Sequence, residues 1–226
     1  SLPASRYFHP VVIADGSRRG ARPCLSGALR RGTRVNLARQ HFVLAGLGLL
    51  AVLFQLAGLQ EALSYQRDLI EQGQFWRLWT GNLVHIDTTH LLMNLGGLVV
   101  VGLFCDTRPS AAGLLVSTLL IMPVVTLGLY LRDPNVGWYM GLSGVLHGLL
   151  ILCLARGLAA HPRMNGLLLL AIFAKLAWEW RFGSLTGSEL FDFPVVTSAH
   201  VYGALGGAFI ALWFEAADLL RAREEE

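Results

Sequence analysis

The stretch GLSGVLHG, residues 141–148, holds a serine and a histidine four positions apart inside an otherwise apolar run. Residues at i and i+4 lie on one face of a helix, so Ser143 and His147 would be neighbours. Polar side chains are costly inside a membrane, and those that occur there are often functional. The stretch is therefore either a packing motif of small residues that includes a serine, or a place where the serine does chemistry.

The composition predicts a membrane-embedded protein, and the helix-length apolar runs described below predict that it is all-α. Of 226 residues, 54% are hydrophobic and only 15% are charged, whereas a soluble domain has about 25% charged residues. The length fits one domain. The three cysteines are far apart, odd in number and without a CxxC motif, so we expect neither a disulfide framework nor a cysteine metal site.

Six apolar runs follow residue 40, and each is a candidate membrane span. They cover residues 42–59, 89–105, 111–131, 138–155, 164–180 and 193–214. A spanning helix needs roughly 17–25 residues. The second and fifth runs are short or contain polar residues, but such residues are tolerated where they face a bundle interior. We therefore predict a six-helix membrane domain over residues 39–222.

The segment before this domain is basic. The first 40 residues carry eight arginines against one acidic residue, Asp15, and show no helical periodicity. This pattern predicts a largely disordered arm over residues 1–38. Basic flanks stay on the cytoplasmic side of a membrane. With six spans, both termini are then expected in the cytoplasm of a multi-pass protein.

Polar residues of three spans are predicted to share one depth. The second, fourth and sixth spans all run inward from the outer surface. His90 and Asn94, Ser143, and His200 each lie near the start of one of these spans. Because a helix rises about 1.5 Å per residue, all four residues should lie within roughly 10 Å of the outer surface.

Glycines predict that the fourth and sixth spans approach closely. Gly141 and Gly144 flank the serine, and the sixth span carries Gly203, Gly206 and Gly207. Small residues at such spacings let membrane helices pack tightly. Close packing would bring His200 within hydrogen-bond reach of Ser143.

These residue types suggest nucleophilic catalysis. His200 would take the hydroxyl proton of Ser143 and return it to the leaving amine. Asn94, with His90 and the backbone N–H of Ser143, would bind the oxyanion. The sequence shows no acid obviously placed to orient His200, so the expectation is a dyad.

Four motifs, in this order and spacing, resemble those of the rhomboid intramembrane serine proteases. They are WRLWT at residues 76–80, HLLMN at 90–94, GLSG at 141–144 and AHVYG at 199–203. The resemblance covers residues 40–220. It implies a six-helix rhomboid core, a Ser143–His200 dyad, an oxyanion site of His90 and Asn94, and cleavage of single-span membrane proteins near the outer face of the bilayer, without a cofactor.

One departure from the common rhomboid pattern is His147, where many rhomboids have tyrosine. GLSGVLHG, with AHVYGALGG and KLAWEW, is similar to the bacterial rhombosortase subgroup. That similarity implies a protein of the bacterial inner membrane, with its active site toward the periplasm. Its substrates would be exported proteins with a C-terminal tail of Gly-Gly, a transmembrane helix and basic residues. No nucleic-acid partner is expected.

Some roles stay open at this point. Ser143 alone could be a packing residue. His147 either supports His200 or is itself the base. Lys175, the only lysine, and Glu179 at i+4 form either an ion pair that fixes the fifth span or a contact for the substrate tail.

Three other classes of protein remain as alternatives. A metal-dependent membrane hydrolase would use four histidines as ligands, namely His85, His90, His147 and His200, but the chain has neither HExxH nor a suitably spaced carboxylate. A non-catalytic relative that only binds substrate would not need both Ser143 and His200. A six-span transporter would need no GxSG motif beside a histidine of matching depth.

Overall fold

A mostly helical architecture with one short sheet is found in the computed structural model, which describes residues 25–105, 109–184 and 195–225, with side chains from residue 39 onward. In chain order the elements are α1 Leu25–Leu56, α2 Gln60–Leu63, β1 Tyr65–Gln66, α3 Arg67–Glu71, α4 Arg77–Thr80, α5 Thr88–Phe104, α6 Ala111–Arg132, β2 Trp138–Tyr139, α7 Ser143–Arg156, α8 Pro162–Phe182 and α9 Thr197–Glu224.

Each of the six longest described helices overlaps one of the six predicted apolar runs. By length and composition, three of them could cross a membrane: Arg39–Leu56 within α1, α6 and α9. Two more, α5 and α7, are apolar but shorter, and α8 carries Lys175 and Glu179. The apolar helices confirm a helical membrane architecture, while six crossings remain a prediction.

The first long helix begins earlier than the predicted membrane domain. It starts at Leu25, inside the segment expected to be a basic arm. Residues 1–24 of that arm lie outside the described residues. The division of the chain at residues 38 and 39 therefore stays a prediction.

Helix α7 lies at the centre of the bundle and packs against α5, α6, α8 and α9. The predicted run began at residue 138, but the helix begins at Ser143. Trp138 and Tyr139 instead form β2, which pairs antiparallel with β1. Gly141 explains the break, because its φ of +132° is a conformation that other residues rarely adopt.

Helices α7 and α9 run parallel and pack through facing glycines. A Cβ added at Gly144 would lie 2.8 Å from the carbonyl oxygen of Ala199. A Cβ at Gly203 would overlap the backbone of Gly144, and one at Gly207 would overlap that of Gly148. Only glycine permits this approach of two backbones. The contact fixes the register between the serine and the start of α9.

A disulfide joins Cys105, just after α5, to Cys153 in the last turn of α7, with Cα atoms 4.9 Å apart. The expectation that the cysteines would not pair was wrong for these two residues. Spacing along the chain gave no sign of the pairing, because 48 positions separate them. They meet because α5 and α7 are parallel and end at the same side of the bundle.

The segment between α1 and α5 is held by a buried arginine. The Arg77 side chain is only 5% exposed. Its guanidinium donates to the carbonyl oxygens of Glu61 and Ser64, at 3.1 and 2.6 Å, and to the side chain of Gln74 at 2.8 Å. Arginine suits this position because its planar group presents several donors in fixed directions. The bonds keep the segment folded over the end of the bundle where the site lies.

Candidate active site

The serine and histidine predicted to meet are in hydrogen-bond contact. Ser143 opens α7, and His200 lies in the first turn of α9. The Nε2 atom of His200 is 3.0 Å from Oγ of Ser143, across 57 positions of sequence. This distance is within the range over which a base can activate a nucleophile. The parallel packing of α7 and α9 produces the contact.

A carboxylate whose contact with His200 the sequence did not predict lies on the other side of the imidazole. Oε2 of Glu179, on α8, is 2.9 Å from Nδ1 of His200. Glu179 is only 4% exposed. A carboxylate accepts hydrogen bonds, so Nδ1 carries the proton and Nε2 is left with a lone pair toward Ser143. The partners thus set the tautomer that a general base requires.

His147 occupies both of its ring nitrogens. Its Nδ1 is 2.7 Å from the carbonyl oxygen of Ser143, and its Nε2 is 3.0 Å from Nζ of Lys175. The carbonyl can only accept, so Nδ1–H donates to it and Nε2 accepts from the ammonium. In this state His147 has no free lone pair to take the hydroxyl proton. The geometry favours the supporting role over the role of base.

Lys175 and Glu179 form an ion pair, which is one of the two roles that the sequence left open for them. Their Nζ and Oε2 atoms are 2.7 Å apart. The Lys175 side chain is 33% exposed, whereas that of Glu179 is 3% exposed. The pair also makes a contact that the spacing did not predict: the same Oε2 of Glu179 accepts a hydrogen bond from Nδ1 of His200. It therefore connects α8 to the residues at the start of α7 and α9.

The two predicted oxyanion residues lie on α5, next to the serine. His90 and Asn94 line the same cavity as Ser143. Asn94 is 4% exposed, and its Nδ2 donates to the carbonyl oxygen of His90 at 2.9 Å. The amide has a second N–H for another acceptor. The side chain of Asp87 caps the helix by accepting from the backbone N–H of His90 at 2.7 Å.

The two glycines around the serine have different neighbours. A Cβ at Gly141 would lie 2.7 Å from the His90 ring, so this glycine gives room to the histidine. Gly144 instead gives room to the backbone of α9, through Ala199. The hydroxyl group of Tyr139 donates to the carbonyl oxygen of Gly141 at 2.7 Å and holds the turn before the serine. Both glycines are needed to bring the groups of the site together.

A cavity of about 720 Å³ opens onto these residues. It is lined by residues of α5, α7 and α8, by His200 of α9, and by residues 135–140, which precede α7. Its lining includes the polar side chains described above, and the rest of its wall is largely apolar, formed by residues such as Met93, Val100, Leu146 and Leu150. An apolar cavity with few convergent polar groups is typical of a binding site.

His85 lies behind this cluster. It is fully buried, and its ring contacts that of His90 edge-on, with centroids 5.1 Å apart. It is not among the residues that line the cavity. Burial, with the nearby His90 ring, lowers the pKa of His85 to about 3, so the ring is neutral at physiological pH.

The four histidines of the metal alternative do not converge. The described residues with ligand atoms close enough for one ion are His147, Glu179 and His200, within 4.8 Å of one another. Each of the three is already engaged in the hydrogen bonds given above. The rings of His147 and His200 are stacked, at 4.3 Å between centroids and 19° between planes. Lone pairs lie in the ring plane, so stacked rings direct them along parallel lines and not toward one ion.

Sequence reasoning named Glu179 but did not predict its contact with His200. An acidic residue within an apolar helix was a usable signal, since buried charges in membrane helices tend to be functional. Its partner was not predictable, because the contact depends on how α8 is rotated against α9. The i+4 lysine offered a sufficient local explanation, and the histidine lies 21 positions away.

A serine hydroxyl on an imidazole, with a carboxylate on the far ring nitrogen, is the arrangement found in serine hydrolases. Here it is built from helices of a membrane protein. The model of the Rhomboid domain matches residues 72–216, well over half of the chain. The chain belongs to the rhomboid family, which is known for intramembrane serine proteases that act on membrane proteins within the lipid bilayer.

Proposed function

We propose that this protein is an intramembrane serine endopeptidase that uses Ser143 as nucleophile and His200 as base. The observation that carries the proposal is the 3.0 Å contact between Oγ of Ser143 and Nε2 of His200, two residues that line the cavity. Membership of the rhomboid family supports the same reaction.

The reaction would proceed through an acyl-enzyme. Nε2 of His200 takes the hydroxyl proton while Oγ of Ser143 attacks the scissile carbonyl carbon. The tetrahedral intermediate then collapses, the C–N bond breaks, and His200 gives its proton to the leaving amine. A water molecule, deprotonated by His200, attacks the ester, releases the new carboxyl terminus and restores the serine. No step needs an added oxidant, reductant or metal.

Two groups of donors would stabilise the oxyanion. The first N–H groups of an α-helix have no acceptor within the helix. Because α7 begins at Ser143, those N–H groups lie beside the nucleophile. Asn94 supplies a side-chain amide from α5, and His90 lines the same cavity. One such donor is worth roughly 100- to 1000-fold in rate.

The proposed substrates are single-span membrane proteins, in particular exported proteins that carry a C-terminal Gly-Gly, helix and basic tail. His147 in place of the commoner tyrosine supports this narrower reading, with the motifs around it. The arginines of the first 40 residues support an orientation with both termini on the cytoplasmic side of the membrane. The similarity to rhombosortases supports a bacterial inner membrane as the location. The site would then face the periplasm.

The test is cleavage of a tailed reporter by the full chain, co-expressed or reconstituted in vesicles. We expect a product whose new C-terminus, read by mass spectrometry, lies at the Gly-Gly tail. Ser143→Ala and His200→Ala should each abolish this product. Of the three proteins, only the wild type should be labelled by a fluorophosphonate at Ser143. Turnover by Ser143→Ala at the wild-type rate would refute the mechanism.

The runner-up function is a general rhomboid protease without preference for such tails. The residues of the site would be the same, so only the substrate distinguishes the two. Cleavage of an unrelated single-span substrate, with the tailed reporter left intact, would favour this runner-up. Loss of activity on chelation, without fluorophosphonate labelling, would instead favour the metal-dependent hydrolase.

A further inference from the structure

A closed cycle of polar contacts includes the two proposed catalytic residues. It runs from the Ser143 hydroxyl to His200, then through Glu179, Lys175 and His147 back to the Ser143 carbonyl. All of its contacts lie between 2.7 and 3.0 Å. The cycle of contacts joins α7, α8 and α9. We infer that Glu179 is the positioning carboxylate of a Ser143–His200–Glu179 triad, held ionised by Lys175; this inference rests on the proposed function.

The first argument is the direction of the hydrogen bonds at His200. Its ring can be a base toward Ser143 only when Nε2 is unprotonated. An imidazole in water exchanges between two tautomers, and only one of them fits. Glu179 accepts from Nδ1 at 2.9 Å and so selects the productive tautomer. When Nε2 takes the serine proton, the same carboxylate lies against the imidazolium and stabilises its charge.

The second argument is the cost of placing this carboxylate here. Glu179 is buried, and an unpaired buried carboxylate becomes protonated to avoid that cost. A protonated acid would be a poorer acceptor for His200. The Lys175 ammonium, 2.7 Å from Oε2, balances the charge and keeps Glu179 ionised. The pair adds no net charge to the apolar helix α8.

The third argument is that Lys175 is itself positioned. Lysine is flexible, and its side chain is a third exposed toward the cavity. Nε2 of His147 accepts from its ammonium at 3.0 Å, while Nδ1 of the same ring is fixed on the Ser143 carbonyl. An ion pair that served only to stabilise α8 would need neither contact. Both contacts make sense if Lys175 must stay beside Glu179.

The expected consequence is a loss in turnover with little change in KM. Glu179→Gln can offer an amide N–H to Nδ1 and so stabilise the wrong tautomer. In serine proteases, a comparable change of the triad acid lowers kcat by about 10⁴-fold. We expect Glu179→Gln to lower kcat at least about 100-fold on the tailed reporter, and Glu179→Asp to recover part of it. Glu215→Gln is the matched control, since Glu215 is exposed and pairs with Arg156, away from the site.

A second variant distinguishes a loss of turnover from a loss of folding. Glu179→Gln leaves Lys175 without its carboxylate, which can destabilise the bundle. The double variant Glu179→Gln with Lys175→Met removes both charges, and we expect it to fold and to be about as slow as Glu179→Gln. If Glu179 were only a structural anchor, the folded double variant would turn over at the wild-type rate, and the inference would be wrong.

Nitrogen NMR of histidine-labelled wild-type protein tests the inference without any variant of Glu179. The His200 signals, assigned by their loss in His200→Asn, should show a proton on Nδ1 and none on Nε2 in the resting protein. A proton on Nε2 would overturn the inference. Activity in Ser143→Ala would instead overturn the proposed function. If Ser143→Ala is inactive while Glu179→Gln keeps the wild-type kcat, the triad fails and the protease remains.

Discussion

The rings of His147 and His200 stack face to face, with centroids 4.3 Å apart and planes 19° apart. One ring reaches Ser143 from the side of its hydroxyl and the other from the side of its carbonyl. The stacking therefore fixes the plane of the proposed base, while Glu179 fixes its tautomer. This division of tasks explains why two histidines are close together although only one can accept the proton.

Replacing His147 by tyrosine should reduce activity without abolishing it. A tyrosine ring can still stack on His200, but it cannot both donate to the Ser143 carbonyl and accept from Lys175. Each lost hydrogen bond is worth about 1 kcal/mol, so we expect kcat to fall roughly 5- to 30-fold. Cleavage of the tailed reporter measures the effect. A variant without any activity, beside an active His200→Ala, would show that His147 is the base.

The glycine contact between α7 and α9 should be intolerant of a methyl group. A Cβ at Gly203 would overlap the Gly144 backbone, so α7 and α9 would have to move apart close to Ser143 and His200. We expect Gly203→Ala to lower the free energy of unfolding by about 1–3 kcal/mol or more and to slow fluorophosphonate labelling of Ser143. Thermal unfolding in detergent and the labelling rate are the two measurements.

Gly166→Ala is the control for that prediction. Gly166 lies in α8, where an added Cβ has nothing within 4 Å. Alanine favours a helix over glycine by up to about 1 kcal/mol, so this variant should be as stable as the wild type or slightly more stable. Equal thermal midpoints for Gly203→Ala and Gly166→Ala would show that the contact is not rigid.

The contact of Ser143 with His200 was predictable although 57 positions separate the two residues. Two small-residue faces and equal depth in parallel helices are visible in the sequence, and they predict which residues share a level. The start of α7 was less predictable. The apolar run continues back to residue 138, and only the φ of Gly141 shows that the helix cannot include it.

The contacts of α8 could not be predicted because they depend on its rotation. Lys175 and Glu179 are neighbours on any helix, so their spacing predicted their ion pair and nothing beyond it. Whether they face lipid, substrate or His200 depends on which face of α8 packs on α7 and α9. The disulfide between Cys105 and Cys153 was missed for a similar reason, since it reflects where two parallel helices end.

Arg77 should resist replacement even by lysine. Its guanidinium satisfies two backbone carbonyls and one side chain at once, in a site that is 5% exposed. Lysine presents one nitrogen and cannot reproduce this fork, so at least one buried acceptor loses its donor. We expect Arg77→Lys to lower the free energy of unfolding by about 2 kcal/mol.

Arg163→Lys is the matched control for Arg77, because Arg163 is exposed at the start of α8. Its thermal midpoint in detergent should equal that of the wild type. The interpretation of Arg77 as the anchor of the segment between α1 and α5 fails if Arg77→Lys unfolds at the same temperature as this control.

Acid should destabilise the protein through His85. Burial, followed by the nearby His90, lowers the pKa of this histidine from 6.5 to about 3, and the charge of Asp87 only partly opposes the shift. His85 therefore takes up a proton near pH 6.5 in the unfolded chain, but only near pH 3 in the folded protein. Since the unfolded state binds more protons in that window, stability falls as the pH drops from 6.5 toward 3, by up to about 4 kcal/mol.

Thermal midpoints in detergent across this range should fall less steeply in His85→Gln, which cannot titrate. His161→Gln removes an exposed histidine and should keep the wild-type slope. Identical slopes for the wild type and His85→Gln would assign the acid sensitivity to other groups.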